Sequence, residues 1–445
     1  LYADQHKNFR EGRIEHVMLS FKEIIDLGQV QPLFNVPACV IIACKSRTLR
    51  YPVKALIIEG TLPKRNLEFS AARPFLKIRE SAYYLYRLGE RTWIGEYSEE
   101  LKQLFSGKMR RRSYYFDRFF EGAIIVPRQF WFVDIVYDPH YGVNTEKPYV
   151  RTSRRALKTG KDEYKDIIIE GNVEANFLYA VLTSTELVPF GHLKPLIAVL
   201  PIEPHGTNYR LLKSEEAMRR GYTGLASWLS KCERVWIERR GEKASKYSLY
   251  QWIDYRHNLT RQNPKARFRV LYPMSATYIV ACIVDTQDPE LLTVRVNEAE
   301  VQLREFIADY VTFYYETNYE DEAYYLVAVL NSRIVDELIK PMQAKGAFGP
   351  RHIVKKVLEL PIPKYNPDHP IHRRLSELGK EGTRRVKEYM PKIMEKYRGR
   401  VITPPLIGRI RNEVRKVVED IIQEIDNLIL ELLKDVAKVA KPKTL

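Results

Sequence analysis

The chain is 445 residues long and 45% apolar, with 72 Lys+Arg against 56 Asp+Glu and a net charge of +16. This apolar content excludes a disordered polypeptide, and the length suits two or three domains. No run of about 18 apolar residues exists to span a membrane, and the four scattered cysteines form neither a zinc-ligand spacing nor a secreted disulfide framework.

The reading is therefore an intracellular, cytoplasmic protein with reduced thiols whose charge surplus points to a polyanion, above all nucleic acid. No signal peptide is recognisable. The first residues already read as the middle of a domain, so a piece of a longer protein is expected. A helical lead-in, DQHKNFREG, is followed by a strand over Glu15 to Ile25. Phe34 to Pro37 reads as a tight turn, Ala38 to Cys44 as a strand covered on both faces, and Val53 to Glu59 as a second strand.

Residues 68–120 read as helical, with Tyr83, Tyr84, Tyr86 and Trp93, and end in the cluster MRRRSYYFDRFF. There Arg110, Arg111 and Arg112 stand beside Tyr114, Tyr115 and Phe116. Cations interleaved with aromatic rings grip phosphates and stack on bases; the alternative is a solvated turn leading into a core strand. Gly122 to Val136 reads as a hairpin with a Pro turn. In Tyr149 to Lys161, Arg154, Arg155, Lys158 and Lys161 fall on one side of a helix, either as phosphate contacts or as a solvated face. A strand at Asp166 to Glu170, a helix at Glu174 to Leu182 and a strand at Leu196 to Ile202 follow. Ser214 opens a helix with a partial capping box, and Trp228 and Trp236 read as core residues of the next one. The loop ERRGEKASK offers Arg239, Arg240, Lys243 and Lys246 as further phosphate contacts. Arg267 to Tyr272 and Thr277 to Val284 read as strands.

Tyr324 to Tyr365 joins two textures of sequence. An apolar helix with an acidic first turn, Glu320-Asp321-Glu322, stops at Asn331-Ser332. A Gly-rich basic turn carries Lys345, Arg351, Lys355 and Lys356, and Leu-Pro-Ile-Pro closes the stretch. Beyond it, Ile371 to Tyr397 reads as a helix kinked at Pro391. Glu413 to Lys438 carries a heptad seam, Val414, Val418, Ile421, Ile425, Leu428 and Leu432. That seam requires a partner, either the preceding helix or another subunit.

No Gly-x-Gly-x-x-Gly, phosphate-binding loop or Gly-x-Ser-x-Gly elbow occurs in these 445 residues. His369 and His372 lack a third metal ligand, and His372 reads as a helix-start residue. Asp285 to Glu300 is an acidic stretch that only faintly follows a nuclease pattern.

The order of motifs carries a resemblance. Tyr-Leu-x-Ala-x-Leu-Asn-Ser (Tyr325 to Ser332), Leu-Pro-Ile-Pro (Leu360 to Pro363), His-Arg-Arg-Leu-Ser-Glu-Leu (His372 to Leu378) and the long helices resemble the end of a target recognition domain and its helical spacer. Such modules occur in adenine-N6 DNA methyltransferases of restriction-modification type and in type I specificity subunits. Pro32 to Ile41 is similar to the last strands of their catalytic domain, and GAIIVPRQFWFV to the strand entering the recognition domain. The resemblance implies an α/β (α+β) chain. Residues 1–67 would be the tail of a Rossmann-like methyltransferase sheet, 68–365 a mixed α/β DNA-binding recognition domain, and 366–445 a helical spacer with coiled-coil character. The family's cofactor loop and Asn-Pro-Pro-Tyr/Phe motif are absent, so no catalytic residue is carried over. S-adenosylmethionine is expected for the full-length enzyme, not for this chain. Double-stranded DNA, a methyltransferase domain or separate catalytic subunit, and helix-mediated self-association are the expected partners; a stand-alone specificity subunit or a nuclease are the alternatives.

Overall fold

The computed structural model describes residues 6–34, 38–46, 48–88, 91–99, 102, 105, 112–343, 345–346, 349–400 and 402–439. The fold is mixed α/β and closes on long C-terminal helices, as expected. The turn expected at Phe34 to Pro37 lies, beyond Phe34, outside the described residues.

The N-terminal sheet sets Arg13–Ile14, Val17–Gln31, Val53–Thr61, Leu76–Leu88 and Arg91–Glu96 side by side, with Cys39–Lys45 paired to Val17–Gln31. In this sheet, among the described residues, Val17–Gln31 and Val53–Thr61 run parallel and the other pairs antiparallel. Because Val53–Thr61 pairs with Leu76–Leu88, the sheet continues past residue 67. The helices expected over 76–96 are thus strands: Tyr83 and Tyr86 are spaced as on a helix face, but Ile78, Tyr83, Tyr84, Tyr86, Thr92 and Trp93 are the aromatic and β-branched residues that favour a pleated surface. Cys39–Lys45 is not covered on both faces either. It forms an edge strand, with Val40 48% and Ile42 46% exposed. A continuous apolar run does not by itself say how many neighbours a strand has.

The middle of the chain builds two sheets whose strands interleave along the sequence. One orders Glu170–Asn172, Tyr149–Thr152, Phe132–Ile135, Leu196–Val199, Leu178–Leu182 and Phe306–Ala308; the other orders Cys282–Asp285, Phe268–Pro273, Thr312–Thr317 and Phe120–Glu121. Leu178–Leu182 replaces the helix expected at Glu174 to Leu182: every residue of LYAVL is buried, so no alternation marks it as a strand. Gly122 to Val136 is not a hairpin. Pro127 leads into a single helical turn, Arg128–Trp131, and Phe132–Ile135 pairs with distant strands. Nor does Ser214 cap its helix; its hydroxyl donates to Glu233 at 2.8 Å, and the capping box lies instead at Ser248 and Gln251. Trp228 and Trp236 are core residues, and the Trp228 indole N–H donates to the Phe130 carbonyl at 2.9 Å.

The four-stranded sheet separates two cores. Phe268, Val270, Tyr272 and Phe313 face the helices, while Leu271, Cys282, Val284 and Tyr314 face the six-stranded sheet, the two-residue alternation of a strand covered on both sides. On the helical side lies Glu320–Asn331, every residue of which is buried from Tyr325 onward. A helix apolar all round must be enclosed, so this stretch is a central packing element. Pro370–Glu395 runs against it at a glycine: a Cβ on Gly379 would stand 2.2 Å from the Tyr324 carbonyl oxygen. Pro391 lies inside this helix. The seam expected to run unbroken over Glu413 to Lys438 is divided at Val418, where φ −118° and ψ 22° end Pro404–Val417 before Glu419–Val439 begins. Its apolar residues face the same core as the central helix, so the partner of the seam lies within the chain. Asp426 fastens the two, accepting from the Ser332 hydroxyl at 2.7 Å and from the Arg333 backbone N–H at 2.8 Å and Nε at 2.9 Å.

Candidate nucleic-acid interface

The cations singled out in the sequence fall into two groups. In the first, Ser153 caps Arg154–Thr159 by accepting the Ala156 N–H at 3.1 Å. Arg154, Lys158 and Lys161 are exposed and their side chains form no ion pair among the described residues, although the Arg154 backbone N–H donates to the Asp134 carboxylate at 3.0 Å. Arg155, on the same short helix, is half-buried and held by the buried Glu186, which makes it a structural residue. The helix Thr223–Arg239 packs alongside, its Arg239 2.9 Å from Asp166 and its Lys231 donating to the Glu170 carbonyl at 2.7 Å. These contacts tie the helix, and with it Arg239 at the head of the 239–246 stretch, to residues 166–170. Arg240 donates to the Tyr247 carbonyl at 3.0 Å, Lys246 lies 5.4 Å from the centre of the Tyr247 ring, and Lys243 is exposed.

The second group gathers around residues 112–121. Arg110 and Arg111 lie outside the described residues, as does the side chain of Lys345. Arg112 is paired at 2.9 Å with Glu359, itself 1% exposed, and covers the Phe116 ring at 4.4 Å. Lys355 donates to the Phe116 carbonyl at 2.9 Å, and partial burial pulls its pKa down. Arg351 is exposed. The segment is fixed by backbone bonds from Ser113 to Leu358 at 3.1 Å and from Tyr114 to Ile362 at 3.0 Å.

Four exposed cations that sequence reasoning passed over complete this group. Arg118 lies 3.8 Å from the centre of the Tyr114 ring and donates to the Tyr114 carbonyl at 2.6 Å; Lys364 lies 5.5 Å from the same ring. Arg261 covers Phe120 at 4.6 Å and Arg256 lies 5.3 Å from Tyr255. None of the four forms an ion pair among the described residues, although Glu121 acts on Arg256 at longer range. The Tyr114 and Arg118 spacing was readable in YYFDR; the meeting of Arg261 with Phe120, 141 positions apart in sequence, was not.

No known protein-family profile matches the chain, and no curated protein does. Solved structures that align with it include two restriction enzymes. One is the type IIL restriction-modification enzyme MmeI in complex with DNA, at 9% identity and a TM-score of 0.46, covering 96% of this chain and 44% of that one. The other is the type IIG restriction endonuclease BpuSI, at 12% identity and a TM-score of 0.28, covering 98% and 46%. The chain spans less than half the length of either.

The acidic stretch Asp285 to Glu300 is engaged elsewhere. Asp285 pairs with Arg267 at 3.2 Å, Asp288 caps a helical turn and reaches Lys387 at 3.2 Å, and Glu300 holds Arg295 at 2.8 Å. The His372 ring accepts the Asn366 N–H at 3.0 Å and stacks 4.4 Å from His369, at the start of Pro370–Glu395. No group of three or more His, Cys, Asp or Glu is placed to hold a metal, and no helix is long and apolar enough to cross a membrane, among the described residues.

Proposed function

We propose that this chain is the DNA-reading portion of a site-specific adenine-N6 DNA methyltransferase of restriction-modification type. The observation that carries the reading is the second basic group: Arg118, Arg256, Arg261 and Lys364 stand exposed on aromatic supports without ion-pair partners among the described residues, so their charge is available to phosphates. The order of sequence motifs supplies the methyltransferase class. In this reading the S-adenosylmethionine site and the pocket for the flipped adenine belong to a methyltransferase domain or a separate catalytic subunit, and this chain supplies orientation on the duplex.

The test is binding of the 445-residue chain to duplex DNA across a salt series. A steep fall of affinity with salt is expected, together with no binding of S-adenosylmethionine by this chain. Affinity for the duplex that does not respond to salt overturns the assignment of these cations, and tight cofactor binding overturns the assignment of the methyl-transfer site to another part.

A further inference from the structure

The aromatic rings of the second basic group are half-buried, and each has a cation over it. Tyr114 carries Arg118 and Lys364, Phe116 carries Lys355 at 5.2 Å, and Phe120 carries Arg261. Other contacts tie these rings to the interior: Tyr114 meets the buried Tyr115 edge-on at 5.1 Å, and Phe120 lies 6.2 Å from the buried Tyr314. Single-strand binders work the opposite way, presenting bare rings on which successive bases stack between cations. Here the rings support the cations, a contact that favours a guanidinium or ammonium held in place, and what faces outward is fixed positive charge.

We infer that this surface is a phosphate rail for double-stranded DNA, in which Tyr114, Phe116 and Phe120 are positioning residues for cations and do not stack on bases. The inference rests on the DNA-reading function proposed above and narrows its ligand to the backbone of a duplex. A rail of this kind carries affinity and orientation, and leaves sequence discrimination to side chains elsewhere.

The full chain is titrated, at matched salt concentrations, with a duplex oligonucleotide and with each of its separated strands. Tighter binding of the duplex is expected. Arg118→Ala combined with Arg261→Ala should weaken duplex binding and flatten the log–log salt slope by about 0.9 for each phosphate no longer neutralised. Lys-for-Arg replacements at both positions should restore most of the slope. Phe120→Leu, which keeps an apolar contact with Tyr314, should cost duplex binding less than the double Arg variant and leave single-strand binding unchanged. Lys364→Ala, at an exposed side chain with no hydrogen bond among the described residues, repeats the slope measurement at a site that touches only the Tyr114 ring. Separated strands that bind as tightly as the duplex, and lose roughly tenfold with Phe120→Leu, would identify a stacking platform and overturn the rail. A chain that binds neither form of DNA removes the DNA-reading function itself, and the rail with it.

Discussion

Asp309 and His372 are buried ionisable groups shifted in opposite directions. Burial pushes the Asp309 carboxyl up to about 6, offset in part by Arg128 at 3.6 Å. Burial, with His369 beside it, pulls the His372 imidazole down to about 4. A raised carboxyl means that the folded state holds its proton more tightly than the unfolded chain, so the Asp309 contribution is present below about pH 4 and lost as pH rises through 6, a change of about 3 kcal/mol. A depressed imidazole works the other way: its contribution is full above about pH 6.5 and lost as pH falls toward 4. Between pH 4 and 6 the two slopes oppose. Urea unfolding of Asp309→Asn should therefore gain stability with rising pH more steeply than the parent, and His372→Asn less steeply; parallel curves for all three proteins would refute the assignment. Gly379 offers a steric test of the same kind. A Cβ there meets the Tyr324 carbonyl at 2.2 Å, so Gly379→Ala should cost about 1–3 kcal/mol in thermal unfolding. The position of His372 at a helix start was legible in the sequence. The shift of Asp309 was not, because it comes from complete burial, tempered by an arginine from a distant part of the chain.

At the scale of elements, the heptad seam was legible in the spacing of Val414, Val418, Ile421 and Ile425, but its partner was not. Spacing records that one helix face is apolar and is silent on what covers it. The structure covers it with the central helix Glu320–Asn331 and with Pro370–Glu395. Ile425→Ala should then lower stability by about 2–5 kcal/mol and leave the mass in solution unchanged. A variant that changes oligomeric state at constant stability would move the seam to an intermolecular interface. Strands were harder to read than helices where they are buried on both sides. Leu178–Leu182 has no polar alternation, and the aromatic strand Leu76–Leu88 carries its tyrosines at helical spacing. In each case pairing with distant strands decided the outcome, and no local pattern encodes such partners.

Across the whole molecule, the cations that the sequence put forward differ in their partners. Arg112, Arg155 and Arg239 are neutralised by Glu359, Glu186 and Asp166, whereas the side chains of Arg154, Lys158 and Lys161 are not paired with an acid among the described residues. Replacing Arg154, Lys158 and Lys161 together with alanine should flatten the salt dependence of duplex binding, by about 0.9 for each phosphate left without its cation, and Arg112→Ala should leave it unchanged. An unchanged slope in the triple variant would return that group to a solvated face. The net charge of +16 was legible from the start, but which cations are spoken for depends on carboxylates brought in from up to 247 positions away.

The four-stranded sheet has a practical meaning for anyone dissecting this protein. Phe268, Val270 and Tyr272 are covered by helices, and Leu271 between them is covered from the opposite side. A shortened gene that stops at residue 365 would deliver a strand stripped along one flank, with the apolar Glu320–Asn331 laid open to water. The minimal expressible fragment therefore extends through Glu419–Val439, and variants of the exposed loops should be made with that C-terminal cover intact.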